Sequence, residues 1–79
     1  MKELQLYMKE MCPFCQKVVR FINKHNIDVT FRDIKKDPEA QEELLRIGGQ
    51  DMVPMLLVDG EPMYESSDII RYLKENHTA

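Results

Sequence analysis

Met55-Leu56-Leu57-Val58 is an unbroken apolar run set between Pro54 and Asp59-Gly60. Such a run is typical of a strand buried on both faces. That reading constrains the rest of the chain, because a sheet with no wet face needs helices on both of its sides. The 79 residues suffice for one compact domain, residues 1–79, and not for two. A domain of this size buries only roughly 60% of the surface its unfolded chain exposes. The core is therefore expected to be simple: one sheet and a few covering helices.

The other elements follow from local pattern. Leu4, Leu6 and Met8 alternate with Gln5, Tyr7 and Lys9, a period of two that predicts a short strand. Pro13 suits a first helical turn, where its missing N–H costs nothing. From Phe14 to about His25, the residues Val18, Val19, Phe21 and Ile22 cover one helical face, and Asn26 ends the helix. Ile27 to Ile34 is β-branched and aromatic and reads as a second strand. Asp37-Pro38 is an N-cap with Pro at the first helical position. The helix that follows has Leu44, Leu45 and Ile47 as apolar positions and stops at Gly48-Gly49. Asp59-Gly60 is a strong hairpin signal, returning into an edge strand from Glu61 to Tyr64 because Pro62 cannot donate to a ladder. Ser66 or Ser67 caps a last helix whose buried stripe is Ile69, Ile70, Tyr72 and Leu73. The order βαβαββα opens with a βαβ unit, hence a parallel pair with a right-handed crossover, and the hairpin adds antiparallel strands. No repeat, linker or low-complexity stretch interrupts it.

Composition removes several functional classes. The apolar share of 43% and charged share of 32% are those of an ordinary globular protein. With 14 acidic and 11 basic residues, the net charge is −3, and the longest basic run, Lys35-Lys36, is followed at once by Asp37. Nothing here favours nucleic acid. No apolar run nears the ~20 residues that span a bilayer. Met1-Lys2-Glu3-Leu4-Gln5 carries an early acid and no apolar core or cleavage site, so it does not read as a signal peptide, and a cytoplasmic location is expected.

In a reducing compartment a close cysteine pair is more often catalytic or metal-binding than a structural staple. The two cysteines, spaced Cys12-Pro13-Phe14-Cys15, fall where a strand gives way to a helix. Unpaired N–H groups and the helix dipole favour an anion at that point, and the thiolate is the attacking form of a cysteine. Cys15, about one turn on, is placed to attack a mixed disulfide carried by Cys12. Lys9 adds positive potential and Glu10 opposes it. As a staple the pair closes too short a loop to stabilise much. Four-coordinate zinc needs two more ligands, and His25 and His77 form no second paired motif, so no metal is expected. His25 reads as a helix C-terminal residue and His77 as part of a fraying tail. The six methionines suit core gaps, with Met11 and Met52 able to line the site.

Tyr7-Met8-Lys9-Glu10-Met11-Cys12-Pro13-Phe14-Cys15 resembles the glutaredoxin active site, usually Cys-Pro-Tyr-Cys with a Lys three residues before the first Cys. Met52-Val53-Pro54 is similar to the family's Thr-Val-Pro, and Glu65-Ser66-Ser67-Asp68 falls where the family holds the γ-glutamyl group of glutathione. The three occur in family order and spacing, and the resemblance implies a thioredoxin-like α/β fold with a four-stranded mixed sheet. It implies a cis Pro54 that sets the backbone of Val53 beside Cys12, where it pairs with the substrate's cysteine. It implies Lys9 for the glycyl carboxylate, and Ser66 and Ser67 for the γ-glutamyl carboxylate. Three departures stand out: Tyr64-Glu65 in place of Gly-Gly, Phe14 for Tyr and Met52 for Thr. Glu65-Ser66 is instead similar to the N-terminal domain of glutathione S-transferases, where both residues grip the γ-glutamyl group; a transferase is not expected, since these 79 residues do not include the helical second domain that binds the electrophile.

The activity so implied is reduction of protein disulfides and glutathione mixed disulfides by a monomer with Cys12 as nucleophile and Cys15 as resolving thiol. Glutathione serves as reductant rather than as a bound cofactor. A redoxin re-reduced by a thioredoxin-reductase-like flavin enzyme is the alternative. An iron–sulfur carrier is disfavoured by Cys15 and the rigid Pro13, since cluster-binding relatives usually have Ser and Gly at the matching positions.

Overall fold

In the computed structural model, which describes residues 3–77, the apolar run forms an interior strand of a four-stranded sheet. The elements are β1 (Leu4–Met8), α1 (Pro13–Lys24), β2 (Thr30–Asp33), α2 (Pro38–Gly48), β3 (Met55–Val58), β4 (Glu61–Met63) and α3 (Ser66–His77). Their order is the predicted βαβαββα. Met1 and Lys2, which open the segment read against a signal peptide, lie outside the described residues.

The strands run in the order β2-β1-β3-β4. β1 pairs parallel with β2 and antiparallel with β3, and β3 pairs antiparallel with β4. The mixed sheet divides two cores. On one face Leu4, Leu6, Met8 and Leu56 pack with Cys15, Val18 and Ile22 of α1 and with Ile69 and Leu73 of α3. On the other, Tyr7, Met55 and Leu57 pack with Ile34 and with Ala40 and Leu44 of α2. Alternate residues of β3 thus serve opposite layers, which is why its sequence is apolar throughout. The same logic corrects the reading of β1. Tyr7, assigned to the polar side of an alternating strand, is fully buried against α2.

Local chemistry sets the ends of the elements. Asp37 caps α2, its side chain accepting from the Glu39 N–H at 3.1 Å, with Pro38 in the first turn. Gly49, at φ 74°, ends that helix. Asp59 and Gly60 have φ of 48° and 89°, the two positive values that a tight primed turn between β3 and β4 needs. The second strand is shorter than predicted, beginning at Thr30 rather than Ile27. Asn26, at φ 51°, reverses the chain after α1, with Asn26 N–H bonded to Asn23 C=O and Ile27 N–H to Ile22 C=O. This is a Schellman closure. It holds Ile27 to the helix end, so Ile27 and Val29 plug the core below α1 instead of extending β2.

Three smaller expectations are corrected. Leu45 points outward and is 44% exposed, because Ala40 and Leu44 fill the line that faces the sheet. α3 begins at Ser66, and the Glu65 carbonyl accepts from the Ile69 N–H, so the cap position is Glu65 and both serines lie in the first turn. His77 is the last residue of α3 and packs on Tyr72 with ring centroids 5.5 Å apart, so it is not part of a frayed tail.

Between β1, β2 and α2 lies a charged network. Arg32 donates to Glu43 at 2.8 Å and to Gln5 at 3.0 Å, and Tyr7 donates to the second oxygen of Glu43 at 3.1 Å. The Arg32 and Glu43 side chains are only 18% and 19% exposed. The hydrogen bond from Arg32 is the main reason the Glu43 carboxyl lies below its ordinary range, against the opposing effect of burial. A carboxyl depressed in the folded state stabilises fully above its unfolded value of about 4.3, and that contribution disappears as pH falls through the lower folded value. Glu43→Gln should therefore lose less stability than wild type between pH 6 and pH 3 in urea unfolding. Parallel losses in the two proteins would refute this role.

Candidate active site

Cys12 ends the loop that leaves β1 and occupies the N-cap of α1 in extended geometry, φ −101° and ψ 113°. Its sulfur accepts the Cys15 N–H at 3.3 Å, and its carbonyl accepts the Gln16 N–H at 3.0 Å. Pro13, at the first helical position, supplies no competing N–H. The cap is thus made by a sulfur, the atom that takes negative charge when the thiol ionises, and the helix dipole acts on the same atom.

The two cysteines, both free thiols, differ in environment. Both belong to the core under α1 and α3, but Cys12 retains 8% exposure whereas Cys15 has none. Burial pushes the Cys15 thiol up to about 12, aided by its hydrogen bond with Cys12, while a backbone hydrogen bond and the charge of Lys9 pull the other way. One sulfur is therefore placed to react and the other to hold its proton.

A groove of about 190 Å³ is lined by Phe14, two residues after Cys12, together with Met52, Val53, Pro54, Glu65 and Ser66. Three segments meet there: the first turn of α1, the loop before β3 with its cis Val53–Pro54 bond, and the start of α3. Six of the eight residues that the sequence suggests for glutathione thus converge on one groove, which neither cysteine lines. Two of the eight do not line it. Ser67 is exposed on the next position of α3, and Lys9 lines a separate hollow with Glu10, Met11, Asp33, Lys35 and Lys36. Among the described residues, no three His, Cys, Asp or Glu side chains gather as a metal site, and no helix is long and apolar enough to cross a membrane.

A support for Glu65 was not read from the sequence. Glu65 stands at φ 70°, an unusual value for a residue with a side chain. The preceding residue, Tyr64, sends its ring into the α2-side core, where its buried hydroxyl has no hydrogen-bond partner among the described residues. A Cβ at Gly48 would collide with that hydroxyl and crowd the Met55 sulfur at 3.2 Å. Gly48 is the last residue of α2, where a glycine also reads as a stop, so the sequence carries no separate signal of this close approach. The Gly48–Tyr64 contact anchors the chain just before the residue that lines the groove.

The βαβ unit with its parallel pair, the N-capping cysteine and the cis-proline loop that shares a groove with Phe14 define a thioredoxin-like disulfide oxidoreductase. Within that class the chain belongs to the glutaredoxin family, which it matches over residues 4–63, and it is a thiol–disulfide oxidoreductase of that family. It is 28% identical over 57 residues to a glutaredoxin-like 8.6 kDa protein of the rubredoxin operon of Clostridium pasteurianum, covering 72% of this chain and 76% of that one. It is 25% identical over 71 residues to glutaredoxin 3 of Escherichia coli, covering 87% of this chain and 83% of the relative. Among solved structures, the thioredoxin-like protein BC3987 superposes with a TM-score of 0.79 at 27% identity, over 92% of this chain and 97% of that one. The rice glutathione S-transferase GST1, solved with glutathione, superposes with a TM-score of 0.77 at 27% identity, over 95% of this chain but only 34% of the transferase.

Two outcomes follow from this geometry. Brief treatment of the reduced protein with iodoacetamide near neutral pH should label Cys12 and spare Cys15, read by peptide mass; equal labelling would contradict the assigned asymmetry. Gly48→Ala should cost about 1–3 kcal/mol by overpacking, and Tyr64→Phe, which removes the colliding hydroxyl, should recover part of that loss in the double variant. Strict additivity of the two in urea unfolding would disprove the contact.

Proposed function

We propose that this protein is a glutathione-dependent reductant of protein disulfides and glutathione mixed disulfides, working in the cytoplasm as a monomer. The observation that carries the reading is the pairing of an N-capping Cys12 with a proton-holding Cys15 on the helical turn whose Phe14 lines the groove. The Cys12 thiolate attacks the glutathione sulfur of a mixed disulfide. The new Cys12–glutathione bond forms as the old S–S bond breaks, and the protein sulfur leaves and takes a proton from solvent. A second glutathione thiolate then attacks the glutathione sulfur on Cys12, giving oxidised glutathione and restoring the thiolate.

For a protein disulfide, Cys12 becomes joined to the protein and Cys15 resolves the bond, leaving Cys12–Cys15 as a disulfide for two glutathiones to reduce. The hydrogen bond with Cys12 is a cause of the high Cys15 value, second to burial. It disappears once the Cys12 sulfur is tied into a mixed disulfide, so Cys15 becomes easier to ionise at the stage that needs it.

In the groove, the backbone of Val53 pairs with the cysteine of glutathione, Phe14, Met52 and Pro54 form its apolar walls, and Glu65 meets the γ-glutamyl amino group. The first-turn N–H groups of α3, with Ser66 and Ser67, take the γ-glutamyl carboxylate. Lys9 draws the glycyl carboxylate. The glutathione carried by the superposing rice transferase supports a groove of this type.

The test is turnover of a glutathione mixed disulfide, with glutathione and glutathione reductase as the electron source. Cys12→Ser should fall to the uncatalysed rate. Cys15→Ser should keep mixed-disulfide reduction and lose reduction of protein disulfides. No turnover with glutathione, together with ready reduction by a thioredoxin-reductase-like flavin enzyme, would replace glutathione by that enzyme as the donor.

A further inference from the structure

A mixed disulfide has two halves, and the groove accounts for one of them. Met11, the residue before Cys12, lines the second hollow, about 240 Å³, while Phe14, two residues after Cys12, lines the groove. Cys12 therefore stands in the chain between a residue that lines the hollow and one that lines the groove, two cavities of comparable size. Met11 is 89% exposed, the most exposed large apolar side chain among the described residues, and Phe14 and Met52 of the groove are exposed as well.

The hollow also carries a distinct charge. It holds three lysines, Lys9, Lys35 and Lys36, against two acids, Glu10 and Asp33. Both acids are engaged: Glu10 pairs with Lys36 at 3.4 Å, and Asp33 accepts the backbone N–H of Lys35 at 2.9 Å. No ion pair holds the ammonium groups of Lys9 and Lys35 among the described residues. This local excess of positive charge lies on a chain of net charge −3, so any attraction of an acidic partner here is local and not the field of the whole protein.

We propose that Met11 and Lys35 of this hollow meet the protein half of the mixed disulfide, Met11 against an apolar side chain and Lys35 against an acidic residue beside the substrate's cysteine, while Lys9 stays with the glycyl carboxylate of glutathione. The proposal rests on the glutathione reading above, since it assigns the other half to the groove. Attack on the glutathione sulfur then runs in line with the S–S bond: the Cys12–glutathione bond forms as the old bond breaks, and the protein thiolate leaves on the far side of that sulfur and is protonated by solvent.

The test uses two cysteine peptides, one flanked by aspartates and one by lysines, each joined in a disulfide to glutathione or to 2-mercaptoethanol. Single-turnover rates are read on pre-reduced wild-type protein and on Lys35→Glu. The wild type should prefer the acidic peptide about two- to fivefold, the range of an exposed ion pair, with either small half, and the preference should shrink in high salt. Lys35→Glu should abolish or invert it while leaving the glutathione–mercaptoethanol disulfide unaffected. Equal rates for the two peptides in the wild type would overturn the proposal. So would a Lys35→Glu variant that slows the glutathione–mercaptoethanol disulfide equally, because the hollow would then belong to glutathione. Failure of the glutathione reading appears on the other axis, as equal rates for glutathione and mercaptoethanol halves.

Discussion

Leu6 faces Leu56 and Tyr7 faces Met55 across the β1–β3 ladder, with one pair of side chains buried under α1 and α3 and the other under α2. A slip of one residue would exchange the two faces and put a tyrosine hydroxyl among the aliphatic side chains below α1. The register is therefore held from both sides. Because the strands are antiparallel, the end of β1 and the start of β3 lie at the same edge of the sheet. The loop carrying Cys12 and the loop carrying Pro54 emerge side by side for that reason. The site is a by-product of where the best-buried pair of strands ends.

The same layering separates the chemistry of the two sulfurs. Cys12 at the N-cap of α1 keeps a small exposure while Cys15, three positions on, keeps none. One turn of helix separates a sulfur that solvent still touches from one that it does not. No polar or charged residue is fully buried among those described, so the polar chemistry of the protein is concentrated at this end and in the half-exposed network around Arg32.

Much of this was legible in the residues themselves, where a local rule and the tertiary environment agree. Pro13 and Pro38 mark helix starts, Asp59-Gly60 marks the hairpin, and the unbroken run at Met55 announces a strand with two covered faces. The family resemblance brought Phe14, Val53, Pro54 and Glu65 together, which spacing alone could not do. The failures share a cause. Tyr7, Ile27 and Val29 were read by local period, but their places are set by what lies opposite: a second helix layer for Tyr7, and a helix end to be closed for Ile27. Gly48 and Tyr64 are 16 positions apart, and the contact between them has no local signature, because a glycine at the end of a helix already reads as a stop. The serines were placed one step wrong because Glu65, in a left-handed conformation, took the cap position that their side chains are suited to fill.

The outer strands have a different importance. β4 is three residues long and contains Pro62, which turns no N–H outward, and its first residue is the exposed Glu61. β2, the opposite border, is four residues long and ends in Arg32 and Asp33. Short borders bearing charge or proline are poor templates for a further strand. A protein whose central strands are among the most apolar segments of its chain thus resists growing its sheet into a neighbour's. Contacts with other polypeptides are left to the end of the sheet, where the sulfur waits.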